Sequence, residues 1–273
     1  MINEIIEMYK KMSIGPCAIA LAGAHAKGVS DEHSDLDYYL LVDEVLPYEE
    51  LQALLLTVAD KDAPWYITPD FDMTVYGGVI DFRYKGTPVE TTVHTVARVK
   101  QRVEESLEGR FEIFPEIWTI GGYYTYVYLS ELDFIKPIWD PDGVLAAYKE
   151  QIKVYPEKLR KSIIECFMDR AGIWLDNFHY ESAIARKDFI YTGPIVIQTV
   201  LNMAQVIFAI NKVYFTGDKK IGAALEKLPY CPALLLENLE SLFSAPADVE
   251  ILQKQRLILR QVRDELQRKI VSQ

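Results

Sequence analysis

The order of apolar and polar positions divides this chain into two halves of different period. In the first half, Cys17 to Ala22 (CAIALA) is a short continuous apolar run closed by Gly23, and Asp35 to Val42 (DLDYYLLV) is a second. Both have the pattern of buried strands. Met73 to Tyr84 and Val89 to Val96 are rich in Val, Thr, Ile and Tyr and flank Lys85-Gly86-Thr87-Pro88, which predicts a hairpin. Helical spacing is predicted at the N-terminus, over Pro47 to Ala59 and over Ala97 to Leu107. Helices alternating with strands through short links indicate an α/β or α+β domain around a small mixed sheet.

The second half changes period. From Tyr148 onward no strand pattern occurs, and long helical periods take over. One helix is predicted from Pro156 to about Glu181, and a break at Ala185 to Asp188. A second apolar helix is predicted over Ile195 to Tyr214, with Pro232 and Pro246 opening two more. This is the pattern of an all-α bundle. The turn-type tetrapeptide Asp140-Pro141-Asp142-Gly143 is the expected joint, giving domains 1–143 and 144–273.

Composition narrows the function classes. Lys+Arg is 29 against Asp+Glu 40, a net charge of −11, which argues against a polynucleotide as the main partner and leaves room for a local basic pocket that takes one nucleotide. Cys17, Cys166 and Cys231 lie far apart with no paired spacing, which suggests neither a disulfide framework nor a zinc site; each reads as a small buried hydrophobe. The opening segment carries Glu4 and Glu7 where an export signal needs an apolar core. The uncharged run Phe189 to Asn211 is interrupted by Gly193, Pro194, Gln198 and Asn202, so a bundle helix is expected there and not a membrane span. The expected compartment is the cytoplasm.

The candidate chemistry lies in Gly23 to Asp37 (GAHAKGVSDEHSDLD). Asp35 and Asp37 project to one face of a strand while Leu36 points to the other. Two carboxylates so close repel by about 4 kcal/mol at an effective dielectric near 20, which favours a bound cation. Mg²⁺ suits one or two carboxylates completed by water and substrate phosphates. Upstream, a tight turn at Gly23 leads into a predicted short helix through Ala24 to Lys27, whose backbone N–H groups, with Lys27, would make an anion cradle.

Gly23-Ala24-x-x-Lys27-Gly28 followed by Ser34-Asp35-x-Asp37 resembles the nucleotidyltransferases of the DNA polymerase β superfamily, and most of all the small-molecule, antibiotic-modifying type. The motif likeness covers about residues 17 to 96. It implies a polymerase β-like domain followed by a helical substrate-binding domain. It also implies a third carboxylate from a later strand, and Val89-Glu90-Thr91-Thr92 is similar to the family segment that supplies it. Asp81 is the second-ranked candidate for that place. The implied cofactors are Mg²⁺ on Asp35, Asp37 and Glu90, with ATP or another nucleoside triphosphate held by Gly23, Ala24, Lys27, Ser34 and Lys187. The implied reaction moves a nucleoside monophosphate, AMP in this reading, to a hydroxyl of a small molecule such as an aminoglycoside or lincosamide. Glu90, or one of Asp169, Asp176, Glu181 and Asp188, is the candidate base. A homodimer is compatible with the family. The chain departs from the family at Ala24, where a Ser hydroxyl usually contacts phosphate, a bond worth about 1.5–3 kcal/mol. That departure keeps a weakened nucleotide-binding or regulatory module open, and the resemblance itself leaves a protein-modifying enzyme of the same fold as a second alternative.

His25, His94, the tyrosines of Tyr123 to Tyr128 with Trp118, and the pair Trp174 and Phe178 remain open between site and core.

Overall fold

The computed structural model describes residues 2–28, 34–71, 74–116, 119–215, 217–243 and 249–272. The chain forms two compact units, one of residues 1–106 with 124–154 and one of residues 107–123 with 155–273.

The first unit begins with α1 (Ile2–Met12), whose apolar face buries Ile5, Met8, Tyr9 and Met12. Then follow β1 (Ser13–Leu21), α2 (Gly23–Lys27), β2 (Leu36–Val45), α3 (Tyr48–Leu55), β3 (Tyr66–Ile67), β4 (Gly78–Tyr84), β5 (Thr87–Thr95) and α4 (Val96–Leu107). The chain then passes through the short strand β6 (Ile113–Phe114), which falls in the second unit, and β7 (Tyr123–Tyr124), and the first unit continues with α5 (Val127–Phe134), β8 (Lys136–Trp139) and α6 (Val144–Ile152). Six strands make one sheet in the order β3-β4-β5-β2-β1-β8. β2 and β5 run parallel at its centre, and every other neighbouring pair is antiparallel. The mixed sheet expected from the sequence is present.

Strand alternation gives the sheet two different faces. On one, Leu36, Tyr38, Leu40 and Val42 of β2 join Ile80, Phe82 and Tyr84 of β4 and Val89 and Val93 of β5 in the core under α1 and α3. Tyr9 enters this core with its hydroxyl bonded to Thr91. On the other face, His94 lies between the rings of Tyr39 and Tyr128, at 4.9 and 4.7 Å between centroids, which places α5 over β2 and β5.

The expected joint at Asp140 to Gly143 falls inside this unit. Asp140 caps α6 by accepting the Val144 and Ala146 N–H groups at 2.8 and 3.0 Å. From α6, Lys149 donates to the carbonyls of Leu132, Asp133 and Ile135, closing the C-terminal end of α5. The turn is therefore a local connection, and α6 belongs with the sheet. Tyr123, Tyr124, Tyr126 and Tyr128 are all buried, Tyr124 and Tyr126 stacked at 5.5 Å, and they are core. Trp118 lies outside the described residues.

The second unit holds α7 (Glu157–Gly172), α8 (Phe178–Ala185), α9 (Phe189–Ile210), α10 (Ile221–Leu225), α11 (Ala233–Phe243) and α12 (Val249–Val271), all but α10 long enough to pack as helices of a bundle. The helical C-terminal part is as the sequence pattern indicates. The single helix expected from Pro156 to Glu181 is two, because the chain turns after Gly172 and Asn177 restarts it by accepting the His179 N–H at 2.9 Å. α9 begins earlier than expected, at Phe189, because Asp188 caps it. Among the described residues α9 alone is long and apolar enough to cross a membrane, and 72% of its most apolar window is buried inside the protein. It packs against α7, α8, α10, α11 and α12, the place of a bundle's central helix. The opening predicted at Pro246 lies outside the described residues.

The three cysteines are half-buried, and fully buried positions were expected. Burial pushes the Cys231 thiol up to about 12, which keeps it protonated.

Candidate active site

β1 delivers the chain to a bend at Gly23. The Ala22 N–H donates to the Asp37 carbonyl at 2.9 Å, which keeps β1 and β2 paired up to the turn. Gly23 then adopts φ +52°, and a Cβ placed on it would lie 1.6 Å from Asp37 Oδ2. Both facts require glycine: the backbone is in the region that side chains disfavour, and the space is filled by the neighbouring carboxylate. α2 starts at this residue and ends at Gly28, also left-handed at φ +71°.

Cross-strand register brings the acidic groups together. Asp37 on β2 pairs with Glu90 on β5, Glu90 with Asp81 on β4, and Asp81 with Tyr66 on β3. Residues opposed in this way project to one face, so Tyr66, Asp81, Glu90 and Asp37 form a row across four strands. Asp35 stands two residues before Asp37. Carboxylate oxygens of Asp35, Asp37 and Glu90 all lie within 4.8 Å of one another. Oxygens sharing one Mg²⁺ stand about 3–4 Å apart, given metal–oxygen distances of 2.0–2.1 Å. The limit on the three is somewhat wider than that spacing, and their oxygen-only donor set is the kind this hard cation prefers. Asp81 is in the row but not in the triad, so the geometry favours Glu90 as the third member.

The charges strain one another. Burial, then the charges of Asp35 and Glu90, push the Asp37 carboxyl up to about 6, while His25 and a hydrogen bond from the Ala24 N–H act the other way. Burial also raises the Asp81 carboxyl. The Ala24 amide, counted from the sequence as part of an anion cradle, is thus engaged by Asp37. His25 is near enough for its charge to act on Asp37.

Two clefts flank the triad. One, of about 350 Å³, is lined by Asp35, Tyr66, Asp81, Arg83, Pro88 and Glu90 among others. The other, of about 150 Å³, is lined by Gly23, Asp37, Glu90, Thr92 and Glu131 with neighbouring apolar residues. Glu131, on α5, approaches the buried His94 ring with Oε2 3.4 Å from Nε2. Sequence reasoning missed Glu131 because α5 carries no clear helical period, and missed Tyr66 because a two-residue strand has no period at all.

The remaining predicted residues fall as follows. Ser34 directly precedes the triad. The Lys27 side chain lies outside the described residues, as does His33. Lys187 is exposed on the turn between α8 and α9 at φ +58°, in the second unit. Of the four alternative bases, three have structural partners: Asp176 pairs with Arg260 and Arg263, Glu181 lies 3.9 Å from Arg256, and Asp188 caps α9. Trp174 stands 5.8 Å from the Tyr191 ring, and Phe178 is exposed.

Comparison with known proteins adds little beyond this geometry. A family model described as a domain of unknown function, DUF4037, matches residues 135–220, a stretch that lies outside the triad. A solved structure titled as a nucleotidyltransferase-like protein from Exiguobacterium sibiricum 255-15 is similar at 10% identity and a TM-score of 0.49, covering 98% of this chain and 73% of that one. Comparison with curated proteins finds no match.

Proposed function

We propose that this protein is a Mg²⁺-dependent nucleotidyltransferase that moves a nucleoside monophosphate, AMP from ATP in the first instance, to a hydroxyl of a small molecule. The observation that carries the reading is the convergence of Asp35, Asp37 and Glu90 beside the Gly23 bend. Magnesium held there would neutralise phosphate oxygens and steady the attacking and leaving groups of an in-line displacement.

The chain's own residues supply the rest. Asp35, Asp37 and, from the neighbouring parallel strand, Glu90 would hold the cation. The acceptor oxygen forms a bond to the α-phosphorus, the bond to the bridging oxygen breaks, and pyrophosphate leaves with that electron pair. The hydroxyl proton passes to a carboxylate at the site, Glu90 in this reading. Ala24 offers no hydroxyl to the triphosphate.

The test uses the full chain with α-labelled ATP. Label appearing in a small-molecule product from a metabolite extract, with release of pyrophosphate and loss of both in Asp35→Ala, supports the proposal. Tight Mg²⁺-dependent ATP binding without any product would assign a nucleotide-binding module. Label on protein would assign a protein-modifying enzyme.

A further inference from the structure

We infer that the larger cleft beside the triad is the acceptor subsite, and that it takes a neutral hydroxylated ring, sugar-like in its chemistry, with Asp81 receiving a hydroxyl and Tyr66 packing on the ring face. The inference rests on the transferase reading for the word acceptor, but the binding site stands on its own observations.

The cleft's volume, about 350 Å³, lies within the range of about 300–1,000 Å³ for small-molecule pockets and suits a mono- or disaccharide. Its floor follows from the strand register. Tyr66, Asp81 and Glu90 are opposed across β3, β4 and β5, and Arg83 opposite Pro88 lies two residues along on the same face. Tyr66 is 52% exposed, large for an aromatic on a sheet, so its ring is open to a ligand. Asp81 Oδ1 is buried yet has no hydrogen-bond partner among the described residues. A buried acceptor is costly to leave unpaired, so a ligand hydroxyl that reached it would recover that cost.

Aromatic face, carboxylate acceptor and guanidinium donor together match the mixed character of a hydroxylated ring, with C–H groups on its faces and O–H groups at its rim. Arg83 Nη1 donates to the Gly86 carbonyl at 2.9 Å, which holds the guanidinium at the cleft edge. Asp35 and Glu90 also line this cleft, so a ring hydroxyl pointing that way would face the metal-holding carboxylates. The second cleft, on the Gly23 side, is left to the other substrate.

The experiment labels the full chain with 5-fluorotryptophan and follows the Trp65 resonance, assigned with Trp65→Phe, since Trp65 lines the cleft. The probes are glucose, maltose and cellobiose, titrated with and without Mg²⁺. At least one sugar is expected to move the Trp65 resonance while those of Trp139 and Trp174 stay in place. Asp81→Ala and Tyr66→Ala should each weaken that sugar about tenfold; Tyr66 is exposed, so its variant keeps the fold if Asp81→Ala does not. A Trp65 resonance that ignores all three sugars, or variants that bind as the parent does, overturns the inference. Sugar binding without Mg²⁺-dependent ATP turnover leaves the subsite standing and removes the transferase reading. Turnover with a silent Trp65 does the reverse.

Discussion

The Asp37 carboxylate occupies the space in which a side chain at Gly23 would begin, with Oδ2 1.6 Å from the place of a Cβ. The bend and the acidic group are therefore one device: the turn can exist only without a side chain, and the carboxylate is held where that side chain is missing. Gly23→Ala is expected to displace Asp37, weaken Mn²⁺ binding by at least tenfold and destabilise the fold by about 1–3 kcal/mol. Isothermal titration with Mn²⁺ and denaturant unfolding measure the two effects separately.

Asp35→Ala, Asp37→Asn and Glu90→Gln should each reduce transfer by about a hundredfold or more while leaving the protein folded. Loss of a metal ligand removes stabilisation of developing charge, a loss of several kcal/mol. Undiminished pyrophosphate release in any of the three would exclude that residue from the metal site.

The raised Asp37 carboxyl makes the apo protein pH-sensitive in a definite direction. Its folded value of about 6 lies above the unfolded one, so the folded chain holds this proton more tightly. The associated stability is complete below about pH 4 and is lost as pH rises through 6. After solvent screening of a half-exposed group the change is about 1 kcal/mol. Asp37→Asn should remove this part of the profile and leave the metal-free protein more stable at pH 7. In the parent, Mg²⁺ affinity should fall as pH drops below 6, because the ion must displace the proton. Thermal unfolding across pH 4–8, with and without Mg²⁺, tests both statements.

Gly77 and Gly86 make a matched comparison. Both have positive φ, +86° and +84°, but a Cβ at Gly77 would meet the Val93 carbonyl and His94 Nδ1 at 2.5 Å, whereas nothing lies within 4 Å at Gly86. Gly86→Ala should cost about 1 kcal/mol from backbone strain alone. Gly77→Ala should cost at least about 2 kcal/mol more, because a backbone atom of β5 must move. Urea unfolding of the two variants side by side checks the difference.

The core strands and their acidic residues were legible because buried strands leave continuous apolar runs, and Asp35, Leu36 and Asp37 show their alternation directly. Glu90 is legible through a resemblance, with the period of two setting it on one face with Thr92 and His94, but its pairing with Asp37 is a fact of three-dimensional register. The first half of β1 was hidden by the irregular pairing between Ile14 and Cys17, where Gly15 and Pro16 break the alternation. The boundary near Asp140 was misplaced because a helix cap and a domain joint use the same turn residues. Tyr66 and Glu131 could not be read at all: one sits in a strand too short for a pattern, the other in a helix buried on several sides.

The parallel pairing of β2 with β5 joins residues more than fifty positions apart in the chain, and it lies at the centre of the sheet. The acidic triad thus cannot assemble from any single hairpin. Its mutual repulsion is met only when the central strands close together, after local helices and the β4–β5 hairpin have had the opportunity to form. Asp35 and Asp37 are neighbours in the sequence already, so what the pairing of β2 with β5 adds is the third carboxylate.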